Sequence, residues 1–491
     1  MRLTSVAALL ALGTLSACTV GPSYHRPDVA VPAAYSAAPA LQTLQGLPMG
    51  AGPDHWWQQF HDPQLNSLMT RALSGNLNLQ AAASRIRAAR DQLILAGAAR
   101  LPSVDASASA NETHLSQNSG ISEFAKLLGG GASGGKGGAG ASNGFGVPGT
   151  SFTTFSLGFD ASWEIDTFGG VRRSIQAAQA RAEQTLWSLR DSEVSVSAEV
   201  ATDYFALRSL QRQIGITHDE IDSQRHMLQL VQARARAGFV TGLDVQQQRA
   251  QLALSESTLP TLQTGVAAQI HALAVLAGQA PEALESELTP AKPLPDVLLR
   301  VPVGLPSQLL RRRPDIRVAE RALAASNADI GVAVAALFPK INLSGALDLV
   351  SLDLTHLLEG ASRQYTATGA ISWPIFAGGQ VRANIRLKKE QDQQALFAYS
   401  SSVIGALRDV EDSLQRYADE KQTNDALHRA VDGSSAATRI ASFQYRAGLT
   451  NFTSVLTAQD TEFRAQSQLA QSDGDLARDL ASIYKAIGGG W

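Results

Sequence analysis

Trp163-Glu164-Ile165-Asp166-Thr167-Phe168-Gly169-Gly170-Val171-Arg172 returns 210 residues later as Trp373-Pro374-Ile375-Phe376-Ala377-Gly378-Gly379-Gln380-Val381-Arg382. The same offset carries Arg236-Ala237-Gly238 onto Arg446-Ala447-Gly448, Val245 onto Val455 and Gly278 onto Gly488, with no insertion or deletion. Solenoid units are about 20–50 residues long. A unit of this size is a duplicated half-protein, so the chain holds two structural repeats.

Upstream of each copy the hydropathy period is 2. Val104, Ala106, Ala108 and Ala110 alternate with polar residues, as do Phe155, Leu157, Phe159, Ala161 and Trp163. In the second half Ile341, Leu343, Gly345, Leu347 and Leu349 form one run, and Tyr365, Ala367, Gly369, Ile371 and Trp373 the other. These predict strands near 103–111, 152–163, 341–350 and 364–373. Each approaches the ~10 residues of a tilted transmembrane β-strand, with aromatics gathered toward Trp163 and Trp373. A soluble pair of hairpins fits the alternation equally well. The separation Pro102–Trp163 is 61 residues against 34 for Pro339–Trp373. The surplus is mostly a glycine-rich stretch near 129–149, read as an exposed loop. Its Gly130-x-x-x-x-Gly135-Lys136 lacks the Ser or Thr and the strand–helix setting of a phosphate-binding loop.

Downstream of each copy the pattern is helical and free of proline, predicting long helices near 171–237 and 381–447. At ~1.5 Å per residue each is roughly 100 Å long. Ser192–Ser197 alternates like a strand, but helical spacing on both sides overrides it. Each long helix ends at Arg-Ala-Gly, where Gly238 or Gly448 serves as a C′ cap. A returning helix of half the length follows, Leu243 to Leu276 or Phe452 to Ile487. Together with the helix Leu77 to Arg100, the first returning helix nearly equals one long helix. Two short helices stacked end to end therefore match one long one. Asn76-x-Asn78 marks a break and a new N-cap ahead of that helix.

At the N-terminus, residues 1–17 read as a signal peptide with an apolar stretch too short to span a bilayer. Leu15-Ser16-Ala17-Cys18 reads as a lipobox, with Cys18, the single cysteine, as the lipidated first residue of the mature chain. Thr19 rather than Asp after it points to the outer membrane. Residues 18–63, rich in Pro and Ala, read as a lipid-anchored tether. No later apolar run approaches transmembrane length, so any membrane crossing falls to the strands. With 41 basic and 44 acidic residues the formal charge is −3, which gives no electrostatic case for nucleic acid. No cofactor, metal-ligand spacing or nucleophile elbow emerges, and the chain is not read as an enzyme. Arg311-Arg312-Arg313 precedes a helix whose first residue is Pro314, with Asp315 in the first turn.

Four strands cannot close into a barrel, and lipid does not tolerate open edges. Either the strands are soluble or several chains share one barrel. Here the chain resembles outer membrane efflux lipoproteins of the TolC/OprM type, in the NodT-like branch. The resemblance rests on Cys18-Thr19-Val20-Gly21-Pro22-x-Tyr24-x-Arg26-Pro27, on Trp56-Trp57…Phe60-x-Asp62-Pro63-x-Leu65, on Leu305-Pro306-Ser307-x-Leu309-Leu310-Arg311-Arg312-Arg313-Pro314-Asp315-Ile316, and on the two Ala-Gly turns. It implies an α+β membrane protein: a transmembrane β-barrel shared by a homotrimer, four strands per chain, continued by a long α-helical barrel. Efflux repeats would span 64–280 and 305–491, joined by a linker at 281–304. It also implies a periplasmic adaptor (membrane fusion protein) and an inner-membrane pump as partners, outer-membrane lipid as surroundings, and a passive exit duct for drugs or other small molecules. A duct for type I protein secretion and a non-conducting lipid-anchored coiled-coil scaffold are the alternatives.

The family's functional positions transfer unevenly. Adaptor contact falls on Ala237-Gly238-Phe239 and Ala447-Gly448-Leu449, with Ala where TolC-like proteins often carry Val. Asp244 matches an acidic residue of the network that constricts the entrance. The arginine expected two residues after Gly448 is Thr450, and the acidic ring position is Thr457, with Asp460 three residues on. Pairing of Arg236 or Arg446 with Asp244 is a candidate gate contact, with solvated surface charges as the alternative, and Asp460 is a further gate candidate.

Overall fold

The computed structural model describes residues 19–36, 53–114, 116, 151–295 and 310–491. The signal peptide, the lipobox Leu15–Cys18, the glycine-rich loop, residues 296–304 of the linker and Leu305-Pro306-Ser307 lie outside them. The main elements are α1 (Pro63–Gly75), α2 (Leu77–Ala98), β1 (Ser103–His114), β2 (Ser151–Ile165), α3 (Gly170–Arg236), α4 (Gly242–Leu276), α5 (Pro314–Ala335), β3 (Lys340–Ser351), β4 (Arg363–Ser372), α6 (Gln380–Arg446) and α7 (Phe452–Ala486). α3 and α6 each contain 67 residues, and α4 and α7 each 35. The stretch around Ser192–Ser197 is helical, inside α3. The chain divides into two compact units.

The first unit comprises Met1–Tyr24, Gln92–Ala178 and Ser326–Glu390. Its four strands form one antiparallel sheet in the order β1-β2-β3-β4. Directly paired residues share a face. Ala106, Phe159, Leu347 and Tyr365 thus line up on one side, and Asp105, Asp160, Ala346 and Thr366 on the other. Large side chains of the apolar face stand in the open: Phe159 is 59% exposed, Leu347 58%, Ile371 73% and Tyr365 84%. At one end of the sheet the Trp163 indole donates to the Arg100 carbonyl and the Trp373 indole to the Leu337 carbonyl, each at 3.0 Å. Asp166 caps α3 by accepting from the Val171 and Arg172 amides.

Residues 19–24 are extended, as their composition predicts, but they are held rather than loose. Buried Arg173 donates to the carbonyls of Val20 (3.1 Å) and Gly21 (3.2 Å). Gly21 lies so close to Gly331 that a Cβ on it would sit 2.6 Å from the Gly331 Cα.

The second unit comprises His25–Asp91, Gln179–Ala325 and Gln391–Trp491. Its core gathers Trp56, Leu65, Met69, Tyr204, Phe205, Leu414, Leu480 and Tyr484, each at most 1% exposed. Trp56 stacks on Tyr484 with ring centres 4.9 Å apart, and Phe60 meets Phe205 at 4.8 Å. Asn76 breaks α1 from α2: its side chain accepts from the Asn78 and Leu79 amides and donates to the Leu276 carbonyl. Pro314 opens α5, and Arg313 pairs with Asp315 (2.7 Å) and Asp409 (3.2 Å) while donating to the Ala486 carbonyl. That arginine serves structure, as its place before Pro314 suggested.

α4 corrects one expectation. It contains an 18-residue window of mean hydropathy 1.2, only 22% of it buried within the chain, so by length and composition alone it could cross a membrane. Leu259, Leu262, Val266, Ile270, Leu273, Val275 and Leu276 supply most of this hydropathy without a long apolar run, because Pro260, Gln263, Gln269 and His271 interrupt them.

Candidate functional site at the helical turns

The two turns that reverse the long helices lie in the second unit and share one backbone solution. After Arg236, Gly238 takes φ +74°; its amide donates to the Ala235 carbonyl and the Phe239 amide to that of Arg234. After Arg446, Gly448 takes φ +75°, with donations to Tyr445 and from Leu449 to Gln444. Both are Schellman closures, which need the left-handed conformation that glycine adopts without a Cβ penalty. Space is open around both glycines, so backbone conformation, not crowding, calls for glycine. Phe239 and Leu449 are each 75% exposed, an apolar tip on each turn.

The helices restart differently. Thr241 is the N-cap of α4, and the Asp244 carboxylate accepts the Thr241 amide at 3.2 Å, completing a capping box. Asn451 caps α7 by accepting from the Ser454 amide at 3.0 Å. Beside this second turn, Ser434, Ala437, Asn451, Ser454, Thr457 and Thr461 line a shallow groove of about 430 Å³.

A small core welds the turns together. Met227 and Val231 of α3 pack with Tyr445, Phe452 and Val455. Arg234 reaches across: its guanidinium donates to the Tyr445 carbonyl at 2.8 Å and lies 4.5 Å over the Tyr445 ring. Tyr445 in turn meets Phe452 at 5.7 Å. The Tyr445 hydroxyl is buried and has no hydrogen-bond partner among the described residues. Burial raises its pKa, the Arg234 charge lowers it and the Asp244 charge raises it, which places Asp244 within electrostatic reach.

Arg236 and Arg446 are exposed, and neither forms an ion pair with Asp244 among the described residues. Within the chain the contact across the turns is made by Arg234 and Tyr445, which sequence reasoning passed over. One signal was available, since Tyr445 immediately precedes Arg446-Ala447-Gly448. Asp460 pairs with Arg464 at 2.9 Å. It also acts on Glu220, whose pKa is raised first by burial and then by Glu462 and Asp460, with a Gln224 hydrogen bond opposing. Farther from the tips, buried Gln248 of α4 donates to the Gln224 carbonyl at 3.0 Å, fastening α4 to α3. No group of His, Cys, Asp or Glu able to hold a metal occurs among the described residues.

Comparison with known proteins gives a consistent answer. The family described as "Outer membrane efflux protein" matches residues 68–279 and 305–489. The chain is 30% identical to outer membrane protein OprJ of Pseudomonas aeruginosa over 494 residues, covering 99% of this chain and 96% of that one. It is 30% identical to the toluene efflux pump outer membrane protein TtgC of Pseudomonas putida, over 97% of this chain and 93% of that one. Against the pyoverdine export outer membrane protein OpmQ of Pseudomonas aeruginosa identity is 32%, over 89% and 87%. Among solved structures, the outer-membrane channel OprN superposes with a TM-score of 0.86 at 34% identity, over 96% of this chain and all of that one. The MtrE channel of Neisseria gonorrhoeae gives 0.80 at 26%, over 96% and 98%. The chain therefore belongs to the outer membrane efflux protein family.

Proposed function

We propose that this protein is the outer-membrane channel of a tripartite efflux system, a passive exit duct gated at its helical turns. The observation that carries the reading is the sheet. One face exposes large apolar residues of β2, β3 and β4, among them Phe159, Leu347, Tyr365 and Ile371, the other is mostly polar, and β1 and β4 are the two edges. Lipid accepts such a sheet only when its edges are paired. Three chains, each giving four strands, form the shared β-barrel, and the long helices continue it as an α-helical barrel. Neighbouring copies cover the bare apolar face of α4. The two efflux repeats occupy 64–280 and 305–491, and Cys18 anchors the chain in the outer membrane through its lipid.

Adaptor contact falls on Ala237-Gly238-Phe239 and Ala447-Gly448-Leu449, whose exposed Phe239 and Leu449 suit an apolar helical partner. Arg234 and Tyr445 hold the two turns together in the closed state. Arg236 or Arg446, both exposed, pairs with Asp244 of an adjacent copy in the gate, and Asp460 belongs to its acidic group. The duct performs no catalysis. The relatives' names cover toluene and pyoverdine, molecules of unlike chemistry, as expected where a pump selects and the duct supplies width. Deleting the gene in its host and following accumulation of a fluorescent efflux dye tests the reading. Accumulation should rise and fall again on complementation; unchanged accumulation with the partner pump expressed would count against it.

A further inference from the structure

One cavity of the second unit takes no part in the helical turns. It holds about 320 Å³ between α3, α4 and the segment after α4 that contributes Glu285, Thr289 and Ala291. Ligand pockets typically span about 300–1,000 Å³, so this one suits a compact molecule. Its floor is apolar. Ile270 is 2% exposed and belongs to the main core, and Ile214 and Val266 are half-buried beside it. One wall is polar and fixed. Gln211, 5% exposed, donates through its amide to the carbonyls of Leu288 (2.7 Å) and Thr289 (3.3 Å), and its oxygen accepts from Arg208. The wall is set before any ligand arrives, so little ordering opposes binding.

The rim decides the charge of the ligand. Glu285 lines the cavity, is exposed, and has no ion-pair partner among the described residues. No Lys or Arg side chain lines the cavity. Lys292 acts on Glu287, which Arg71 already holds through both carboxylate oxygens. Arg208 lies behind Gln211, fully buried, with its guanidinium over the Tyr204 ring and the Tyr204 hydroxyl bonded to the Asp62 carboxylate. An anion in the cavity would face Glu285 with no cation on the rim to offset it, whereas a cation meets its countercharge there. We propose that this cavity binds a small apolar cation, its hydrocarbon body against Ile214, Val266 and Ile270 and its charged end at Glu285.

The cavity is built within one chain, so it exists whether or not several chains share a barrel. A ligand in it touches the long helix, the returning helix and the segment that leads toward the second repeat. Occupancy ties these three together and stabilises the folded protein by mass action. Two small residues keep the space open. Ala267 and Ala291 line the cavity and are both exposed, so a larger side chain at either fills it without entering the core.

Benzyltrimethylammonium, an aromatic ring carrying a quaternary ammonium, is the probe, and phenylmethanesulfonate offers a similar body with the opposite charge. Saturation-transfer NMR on the full-length protein in a non-ionic detergent, with empty micelles subtracted, reads both. The cation should bind about tenfold more tightly than the sulfonate, because one gains at Glu285 what the other loses. Glu285→Gln should weaken the cation about fivefold. Ala267→Phe should abolish its binding while the far-ultraviolet circular dichroism and melting curve of the ligand-free protein stay those of the parent, and Ala291→Phe fills the same space from the following segment. Equal binding of the two probes, or a cation affinity unchanged in Glu285→Gln, overturns the recognition by charge. Preference for the sulfonate overturns it too and transfers the recognition to Arg208. Cation binding that survives in both folded Phe variants lies elsewhere and overturns the cavity as its site. No binding above the micelle background overturns the proposal outright.

Discussion

Arg234→Met should loosen the closed state by a calculable amount. The substitution keeps the aliphatic stem of the side chain but removes the donation to the Tyr445 carbonyl at 2.8 Å and the cation held 4.5 Å over the Tyr445 ring. A hydrogen bond from a charged donor contributes about 1.5–3 kcal/mol, and a partly exposed cation–π contact about 0.5–1 kcal/mol. Arg234 is only half-buried, so the lower ends apply and the sum is about 2 kcal/mol. If opening parts the two turns, the open-to-closed ratio rises roughly thirtyfold. Single-channel recording of the purified protein in planar bilayers reads this as open probability. Tyr445→Phe is the control: its hydroxyl has no partner among the described residues, so open probability should stay within about twofold. An Arg234→Met protein that assembles normally and opens no more often than the parent would show that the turns do not part, and the clamp would lose its role.

Three further outcomes follow from the same geometry. Gly238→Ala and Gly448→Ala, at φ +74° and +75° in open space, should each cost about 1–2 kcal/mol of turn stability; hydrogen exchange at the Phe239 and Leu449 amides should speed roughly tenfold, and unchanged protection would contradict the left-handed closure. Asp203, its pKa raised to about 6 by burial first and Glu199 second, lies above the ordinary carboxylate value in the folded state, so ionisation penalises folding and stability falls as pH rises through that range. Asp203→Asn should therefore raise the melting temperature at pH 8 and change it little at pH 4, and an equal shift at both would refute the assignment. Cys18→Ala should abolish labelling by a radiolabelled fatty acid, whereas retained labelling would remove the lipobox.

The parts legible in the sequence are those that repeat or follow a local rule. The 210-residue offset, the proline-free stretches after Val171 and Val381, and the glycines after Arg236 and Arg446 each state a backbone requirement directly. Asn76 could be read because a side-chain cap acts on its own neighbours. What escaped depends on partners distant in sequence. Residues 18–63 look like a tether because Pro and Ala report an extended backbone, but nothing local reveals that Arg173 satisfies the carbonyls of Val20 and Gly21. Arg234 and Arg236 are equivalent to a reader of composition. Two positions along a helix is about 200° of rotation, so one arginine meets Tyr445 and the other faces solvent. Asp244 fits two patterns at once, a gate carboxylate and the closing residue of a capping box begun at Thr241, and within the chain the second is the one made.

Passage of solute through the assembled protein tests the account most directly. Vesicles loaded with a small fluorescent dye and carrying the purified protein should leak slowly with the parent protein and about thirtyfold faster with Arg234→Met, while retaining a large labelled dextran. Protein that inserts in full, resists protease across the strands, and releases no dye in either form would contradict a duct and leave the molecule a scaffold.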